Sequence, residues 1–228
     1  MKRILVTAGS TAVPIDQVRI FKVQQEGEGF IANIFRGKTG FLIAEALAGY
    51  GHMVTLLTSG AHEKFVHDVP GLRVRSFLTF DELRRQMEEE IRSGNYDVVI
   101  HSAAVADYRV DAVRVGDQSL ENAETGAKIS SKHKRLIIEM VPTEKLIDFI
   151  REPWGFAGTL VKFKLEVGIS DEDLLRIARR SMAFSRADLI VANRREWQDD
   201  RAYILNPAGG CDCVARYDLP NELIRRLA

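Results

Sequence analysis

The stretch "ANIFRGKTG", residues 32–40, places Gly37, Lys38 and Thr39 just ahead of an apolar run with helical spacing. A lysine at a helix start adds a cation where free N–H groups and the helix dipole already favour an anion. Set against the phosphate-loop pattern Gly-x-x-x-x-Gly-Lys-[Ser/Thr], the first glycine is replaced by Ala32, and "QQEGEGFI" supplies at most a short strand before it. The apolar strand ending in Asp that would hold Mg²⁺ is missing too, since "DVVIHSA" ends in small residues. The segment is therefore not read as a P-loop. Two pieces of chemistry survive. Lys38 suits a phosphate or carboxylate, and the Asn33 amide can donate to a developing oxyanion. A solvated first-turn lysine is the plain alternative for Lys38.

Other loops carry related chemistry. "TAGST" offers a turn at Gly9, then backbone amides and hydroxyls from Ser10 and Thr11 that suit a phosphate or carboxylate. It is not a dinucleotide fingerprint, which needs further glycines and a helix directly after the turn; here Pro14 follows. In "HSAAVADY", Ser102, Ala103 and Ala104 are small enough for a flat ring to approach the backbone. Asp107 could accept from an amino or hydroxyl group of a ligand, or cap its own turn. His101, inside the preceding apolar run, reads as a hydrogen-bonded core residue rather than a base. The stretch 108–127 lacks periodicity and leads to Lys128. A loop of that length either closes over a polyanion, bringing the lysine with it, or is a disordered flap. Phe163 either packs in the core or offers a stacking platform at the mouth of a sheet.

These loops need a scaffold, and the pattern supplies one. "RILVTAG", "MVTLLTSG", "YDVVIHSA", "TLVKFKLEV" and "ADLIVAN" read as buried strands. They alternate with helical segments: "KTGFLIAEALAGYG", "FDELRRQMEEEIRSG", "TEKLIDFIRE" opening at Thr143, and "SDEDLLRIARRSMAF" with Ser170 as its N-cap. "RAYILNP" and "CDCVARYD" read as a hairpin, and "PNELIRRLA" closes as a short helix. Alternating strands and helices specify an α/β fold: a Rossmann-like, doubly wound, mostly parallel sheet flanked by helices, with a C-terminal β-hairpin appendage. The expectation is a single domain over 1–228 with flexible loops at about 20–32 and 108–127. In such sheets ligands sit beyond the carboxyl ends of the strands, which is where the loops above fall.

Lys plus Arg and Asp plus Glu are balanced at 32 each, which gives no case for nucleic acid or a membrane surface as partner. No run approaches the roughly 18 apolar residues needed to span a bilayer. The apolar stretch after Met1 is too short for a signal peptide. Cys211 and Cys213 are too few for a zinc site, and a disulfide between them would be strained. The reading is a cytoplasmic protein with reduced thiols.

In their order these pieces resemble the phosphopantothenate–cysteine ligase family. The match is carried by "VTAGST", "PIDQVR" at 14–19, "IANIFRGKTG" at 31–40, "AAVADY" at 103–108, "KISS" at 128–131, "FKLE" at 163–166 and "ADLIVAN" at 187–193. The resemblance is to the standalone form, without a flavin-dependent decarboxylase domain. It implies a ligase that joins 4'-phosphopantothenate to L-cysteine through an acyl-nucleotide made from CTP or ATP with Mg²⁺, in coenzyme A biosynthesis. By position, Gly9, Ser10 and Thr11 would line the phosphate region. Ala103, Ala104, Asp107 and Phe163 would hold base and ribose. Lys128 would reach the phosphates from a flap, and Asn33 would stabilise the acyl-nucleotide and its tetrahedral intermediate. Arg36 and Lys38 would lie beside the substrate. No metal ligands are indicated. The family forms homodimers in which one subunit completes the other's site.

The chain departs from the family at three places. "IFKVQQEGEGF" lengthens the segment before "IANIF". Phe35 and Arg36 replace paired serines. Phe184, with Arg186 and Arg179 nearby, stands where the family has a lysine. Two other function classes remain open from sequence. One is an NAD(P)-binding oxidoreductase, which would need an acid at the end of the second strand, where "LLTSGAHE" has none immediately. The other is a diverged homologue that acts on another carboxylate or only binds nucleotide.

Overall fold

A computed structural model describes residues 1–15, 20–21, 37–59, 69–93, 95–115, 118–121, 129, 132 and 134–227. Arg3–Ala8 forms β1, followed by two short strands, β2 (Val13–Pro14) and β3 (Ile20–Phe21), paired antiparallel. Helix α1 covers Lys38–Gly49, then come β4 (Met53–Thr58), β5 (Leu72–Ser76), α2 (Phe80–Ser93) and β6 (Val98–His101). Three strands follow in a separate group: β7 (Tyr108–Val115), β8 (Gln118–Glu121) and β9 (Leu136–Pro142). The chain continues with α3 (Leu146–Arg151), β10 (Thr159–Glu166), α4 (Asp171–Ser185), β11 (Leu189–Arg194), β12 (Arg201–Leu205), β13 (Cys211–Ala215) and α5 (Leu219–Leu227).

Eight strands make the main sheet in the order β13-β12-β11-β10-β6-β1-β4-β5. The six from β5 to β11 are parallel, and the hairpin β12–β13 joins antiparallel along β11. The expected hairpin is present, and it extends the main sheet. From β1 the chain runs outward to β4 and β5, then crosses back to β6 on the other side of β1. The strand order therefore reverses between β1 and β6, and their carboxyl ends open onto a crevice.

Alternation along β1 explains the two-faced core. Ile4, Val6 and Ala8 pack with Ile43 and Leu47 of α1 and Leu219 and Leu223 of α5. Leu5 points the other way, into a cluster with Leu83 and Met87 of α2, Ile150 of α3 and Leu174 of α4. Helix boundaries follow local chemistry. Ser170 caps α4 by accepting the Asp173 N–H at 3.0 Å. Helix α1 ends in a turn that places Gly51 at φ +84°.

Two expectations are corrected. Helix α3 opens after Lys145, not at Thr143, because the Thr143 hydroxyl is spent donating to Ala106 O at 2.5 Å. The stretch after Asp107 is not one flexible loop. β7 pairs with β8 and with β9 to form a three-stranded antiparallel arm, while 122–127 lie outside the described residues. Val113 and Ile129 of this region pack with Ile15 in a satellite core. The other expected loop, at about 20–32, lies outside the described residues apart from Ile20–Phe21.

Glycine usage in α1 gives a test. A Cβ on Gly40 would stand 2.4 Å from Ser102 Oγ, 2.7 Å from Ala8 Cβ and 3.1 Å from the Thr7 carbonyl oxygen, whereas one on Gly49 would meet nothing within 4 Å. Gly40→Ala should destabilise by about 2 kcal/mol through overpacking, and Gly49→Ala should be neutral or stabilising by up to about 1 kcal/mol. Urea denaturation of both variants checks this, and a Gly40→Ala midpoint equal to wild type would contradict it.

Candidate functional site

The crevice beyond β1 and β6 is built around two glycines far apart in sequence. Gly9 takes φ +87° as the chain leaves β1, and Gly37 takes φ +79° as it enters α1. A Cβ on Gly37 would lie 2.6 Å from Gly9 N. Helix α1 thus begins directly against the turn that ends β1, with no side chain between them. Gly37 provides no side-chain cap, and the first turn of α1 holds no acidic residue. The opening N–H groups of this helix therefore face the crevice with Lys38 and Thr39, an arrangement that favours an anion.

The loop after β6 is stitched to the β1 turn. Ala103 N donates to Thr7 Oγ1 at 3.2 Å and Ala104 N to Gly9 O at 2.8 Å. Thr11 N returns a bond to Ala104 O at 3.2 Å, and Thr11 Oγ1 accepts Ala106 N–H at 2.8 Å. The N–H groups of Ala103 and Ala104 are thus occupied, and a ligand would meet their methyl groups. Thr11 is buried and braces the loop. Ser10 N donates to Ser59 Oγ at 2.7 Å. Neither Ser10 nor Thr11 lines the cavity.

That cavity, about 280 Å³, runs from Gly9, Lys38 and Thr39 past Ala103 and Ala104 to the half-buried ring of Phe163, with Asn193 and Arg216 on its walls. Asp199 is the one acidic residue among its described lining residues. Among the described residues no cluster of three or more His, Cys, Asp and Glu side chains forms a metal site. Ala103 and Phe163 also border a second cavity of about 320 Å³, which holds Asp107, Lys145 and Lys162. Asp107 forms an ion pair with Lys145 at this rim.

Two buried ionisable groups line the second cavity. His101 Nδ1 is 2.9 Å from Thr7 Oγ1, and burial, helped by the Lys162 charge, pushes its pKa down to about 4. It is a neutral core residue, as its place in the strand suggested. Lys162 Nζ donates to Ser181 O, Ser181 Oγ and Ser185 Oγ at 3.1, 2.8 and 3.1 Å. Burial lowers its pKa to about 8, with Asp148 opposing and Lys164 adding to the shift.

Of the residues singled out in the sequence, Gly9, Lys38, Ala103, Ala104 and Phe163 converge on one cavity, and Asp107 borders its neighbour. Asn33, Arg36 and Lys128 lie outside the described residues. Sequence reasoning missed Lys162 and Arg216. A lysine within the buried run "TLVKFK" was a usable signal for the first. Arg216 gives no local signal, because only tertiary folding brings the chain after β13 back to α1.

Fold and cavity define a doubly wound α/β protein with an anion-receptive crevice at its strand-order reversal. The family described as the DNA/pantothenate metabolism flavoprotein C-terminal domain matches residues 1–204, and the chain belongs to it. The coenzyme A biosynthesis bifunctional protein CoaBC of Thermococcus kodakarensis is 35% identical over 195 residues, spanning 84% of this chain and 41% of that protein. CoaBC of Vibrio cholerae is 31% identical over 192 residues, again covering 41% of its length. The chain thus spans about two fifths of the curated relatives it matches. The crystal structure of the DNA/pantothenate metabolism flavoprotein from Streptococcus pneumoniae superposes with a TM-score of 0.80 at 28% identity, covering 100% of this chain and 98% of that one. A Cab2 mutant in complex with phosphopantothenate-cysteine shares the fold, with a TM-score of 0.72 at 18% identity, over 99% of this chain and 86% of that one. No helix among the described residues is long and apolar enough to cross a membrane.

The buried imidazole yields a pH prediction. His101 has a folded pKa of about 4 against an ordinary 6.5, so the unfolded chain takes up its proton first as pH falls. Its contribution is complete above pH 6.5 and is lost progressively down to pH 4. Stability should fall by about 1.5 kcal/mol between pH 6.5 and 5 from this group. Denaturation midpoints should lose that slope in His101→Gln, and an unchanged slope would show that His101 titrates normally.

Proposed function

We propose that the chain is a ligase that joins 4'-phosphopantothenate to L-cysteine through an acyl-nucleotide, as part of coenzyme A biosynthesis. The observation that carries this reading is the crevice itself. An uncapped helix start with Lys38 suits a polyphosphate, and the small Ala103–Ala104 step beside Phe163 suits a flat base. Family membership and the likeness to CoaBC support the substrate assignment.

The chemistry follows from the charges involved. A carboxylate does not acylate an amine at neutral pH, so it must first be activated. Attack of the phosphopantothenate carboxylate on the α-phosphorus of CTP or ATP forms the acyl-nucleotide and expels pyrophosphate. The cysteine amine then attacks the acyl carbon, the nucleoside monophosphate departs, and the amide forms with loss of a proton. Both steps gather negative charge, so fixed donors and cations dominate the rate. The α1 N–H groups and Lys38 face the phosphates, Phe163 stacks on the base, and Asp107 takes the ribose once released from Lys145. Asn33 donates to the tetrahedral intermediate, Arg36 lies beside the acid substrate, and Lys128 meets the phosphates. Asp199, the acid on the cavity wall, would help hold a nucleotide-bound Mg²⁺, which would offset phosphate charge. The active unit is a homodimer, in which the β7–β9 arm, exposing Tyr108, Leu136 and Ile137, meets its copy.

The purified chain with Mg²⁺, phosphopantothenate and CTP or ATP should release pyrophosphate, and should yield the amide only when cysteine is added. Lys128→Ala should cut turnover at least tenfold, the loss of a charge-assisted contact (roughly 1.5–3 kcal/mol), with an unchanged melting temperature. Release that ignores phosphopantothenate would sink the ligase reading, and full turnover in the variant would remove Lys128 from it.

A further inference from the structure

Arg216 follows β13 directly, beyond residue 204, where the family match ends. Its guanidinium nevertheless lines the α1 wall of the crevice. Nη2 donates to Thr39 Oγ1 at 2.5 Å. Nη1 is buried and finds no hydrogen-bond partner among the described residues. The backbone holds the residue in place, since Arg216 N donates to Asp200 O at 2.8 Å.

This placement is electrostatically costly. A guanidinium beside the first turn of a helix meets the positive end of the helix dipole. Lys38 adds a second cation in the same turn, and no acidic residue there offsets either. Burial lowers the Arg216 pKa from the ordinary arginine value, and Asp199 only partly opposes that. Thr39 is a neutral partner and cannot balance the charge. A buried N–H left unpaired is also costly. One occupant relieves every one of these costs together: an anion of several charges resting on the α1 N-terminus. The planar fork of arginine suits phosphate oxygens in particular, because one arm can stay on Thr39 while the other donates to the ligand.

The geometry points to Arg216 as a further binding residue of this crevice: Nη1 donates to a phosphate oxygen of the bound polyphosphate, and Thr39 Oγ1 holds the guanidinium in that orientation. The inference rests on the nucleotide reading of the crevice, and it assigns to the segment after β13 a share in phosphate recognition. The segment then couples to the site, since an anion drawn onto α1 also ties α1 to the chain that leads into α5.

Calorimetric titration of the purified chain with tripolyphosphate, with CTP or ATP, and with the corresponding nucleosides tests this. Arg216→Met should weaken tripolyphosphate and triphosphate binding by roughly tenfold or more, and leave nucleoside binding as in wild type. The unliganded variant should melt no lower than wild type, because a crowded cation has gone. Arg216→Lys keeps the charge and loses the fork, so its affinity for tripolyphosphate should fall between the two. Wild-type protein that does not bind tripolyphosphate, or Arg216→Met that binds it with wild-type affinity, overturns the inference. Should the Met variant fail to fold, wild-type affinity in Arg216→Lys overturns the fork. Tripolyphosphate binding that depends on Arg216, without binding of either nucleotide, supports the phosphate contact and removes the nucleotide reading instead.

Discussion

Helix α1 can start where it does because nothing larger than hydrogen stands between Gly37 and Gly9. A Cβ on Gly37 would fall 2.6 Å from Gly9 N and 3.0 Å from its Cα, and both residues sit at positive φ. This contact closes a long excursion of chain and sets the helix start against the end of the central strand. In a dinucleotide-binding turn the same juxtaposition comes from a short glycine loop. Here the loop is replaced by residues 10–36, and the two glycines restore the geometry. Gly40 continues the fit one turn on, where α1 passes the Thr7 carbonyl and Ser102. The placement of Lys38, Thr39 and the opening N–H groups of α1 follows from that contact.

The rest of the site balances charge against burial. Its floor carries a single charge, because burial strips His101 of its proton at ordinary pH, while Lys162, lowered to about 8, keeps its own. The Lys162 amine is fully hydrogen-bonded by serines of α4, so a lysine in a sheet interior is satisfied without a carboxylate. Fixed positive charge is concentrated on one wall, at the α1 start. Of the acids near the crevice, Asp107 is paired with Lys145, and Asp199 opposes only part of the shift that burial imposes on Arg216. Such a division leaves a seat for a polyanion on one side and an apolar slot at Ala103, Ala104 and Phe163 on the other.

Much of this was legible in the sequence, for definable reasons. The parallel strands announced themselves as continuous apolar runs ending in small residues, and Ser170 marked a helix start that the structure caps as expected. Gly9, Lys38, Ala103 and Ala104 could be placed at strand or helix ends from pattern alone, whereas pattern left Phe163 open between the core and the mouth of the sheet. Strand β7 of the arm was missed because it lies outside the main core and packs only in a small satellite cluster, so its burial leaves a weak alternation. Thr143 misled as a cap because its hydroxyl serves the β6 loop, a long-range bond no local rule encodes. The same holds for Thr11, chosen for its hydroxyl as a ligand contact and used as a brace. Arg216 was beyond any local reading, since its partner Thr39 is 177 positions away.

If the start of α1 seats the phosphates, its opening amides must report the ligand. Its first amides, those of Lys38, Thr39 and Gly40, precede the first bond of the helix, which Phe41 N makes to Gly37 O at 3.0 Å. Residue-resolved hydrogen exchange, measured with and without CTP or ATP, reads them directly. These amides should exchange fast in the free protein and become protected on binding, together with the loops that follow β1 and β6. Saturating nucleotide that leaves them unprotected, while protecting amides elsewhere in the chain, would contradict that seating of the phosphates.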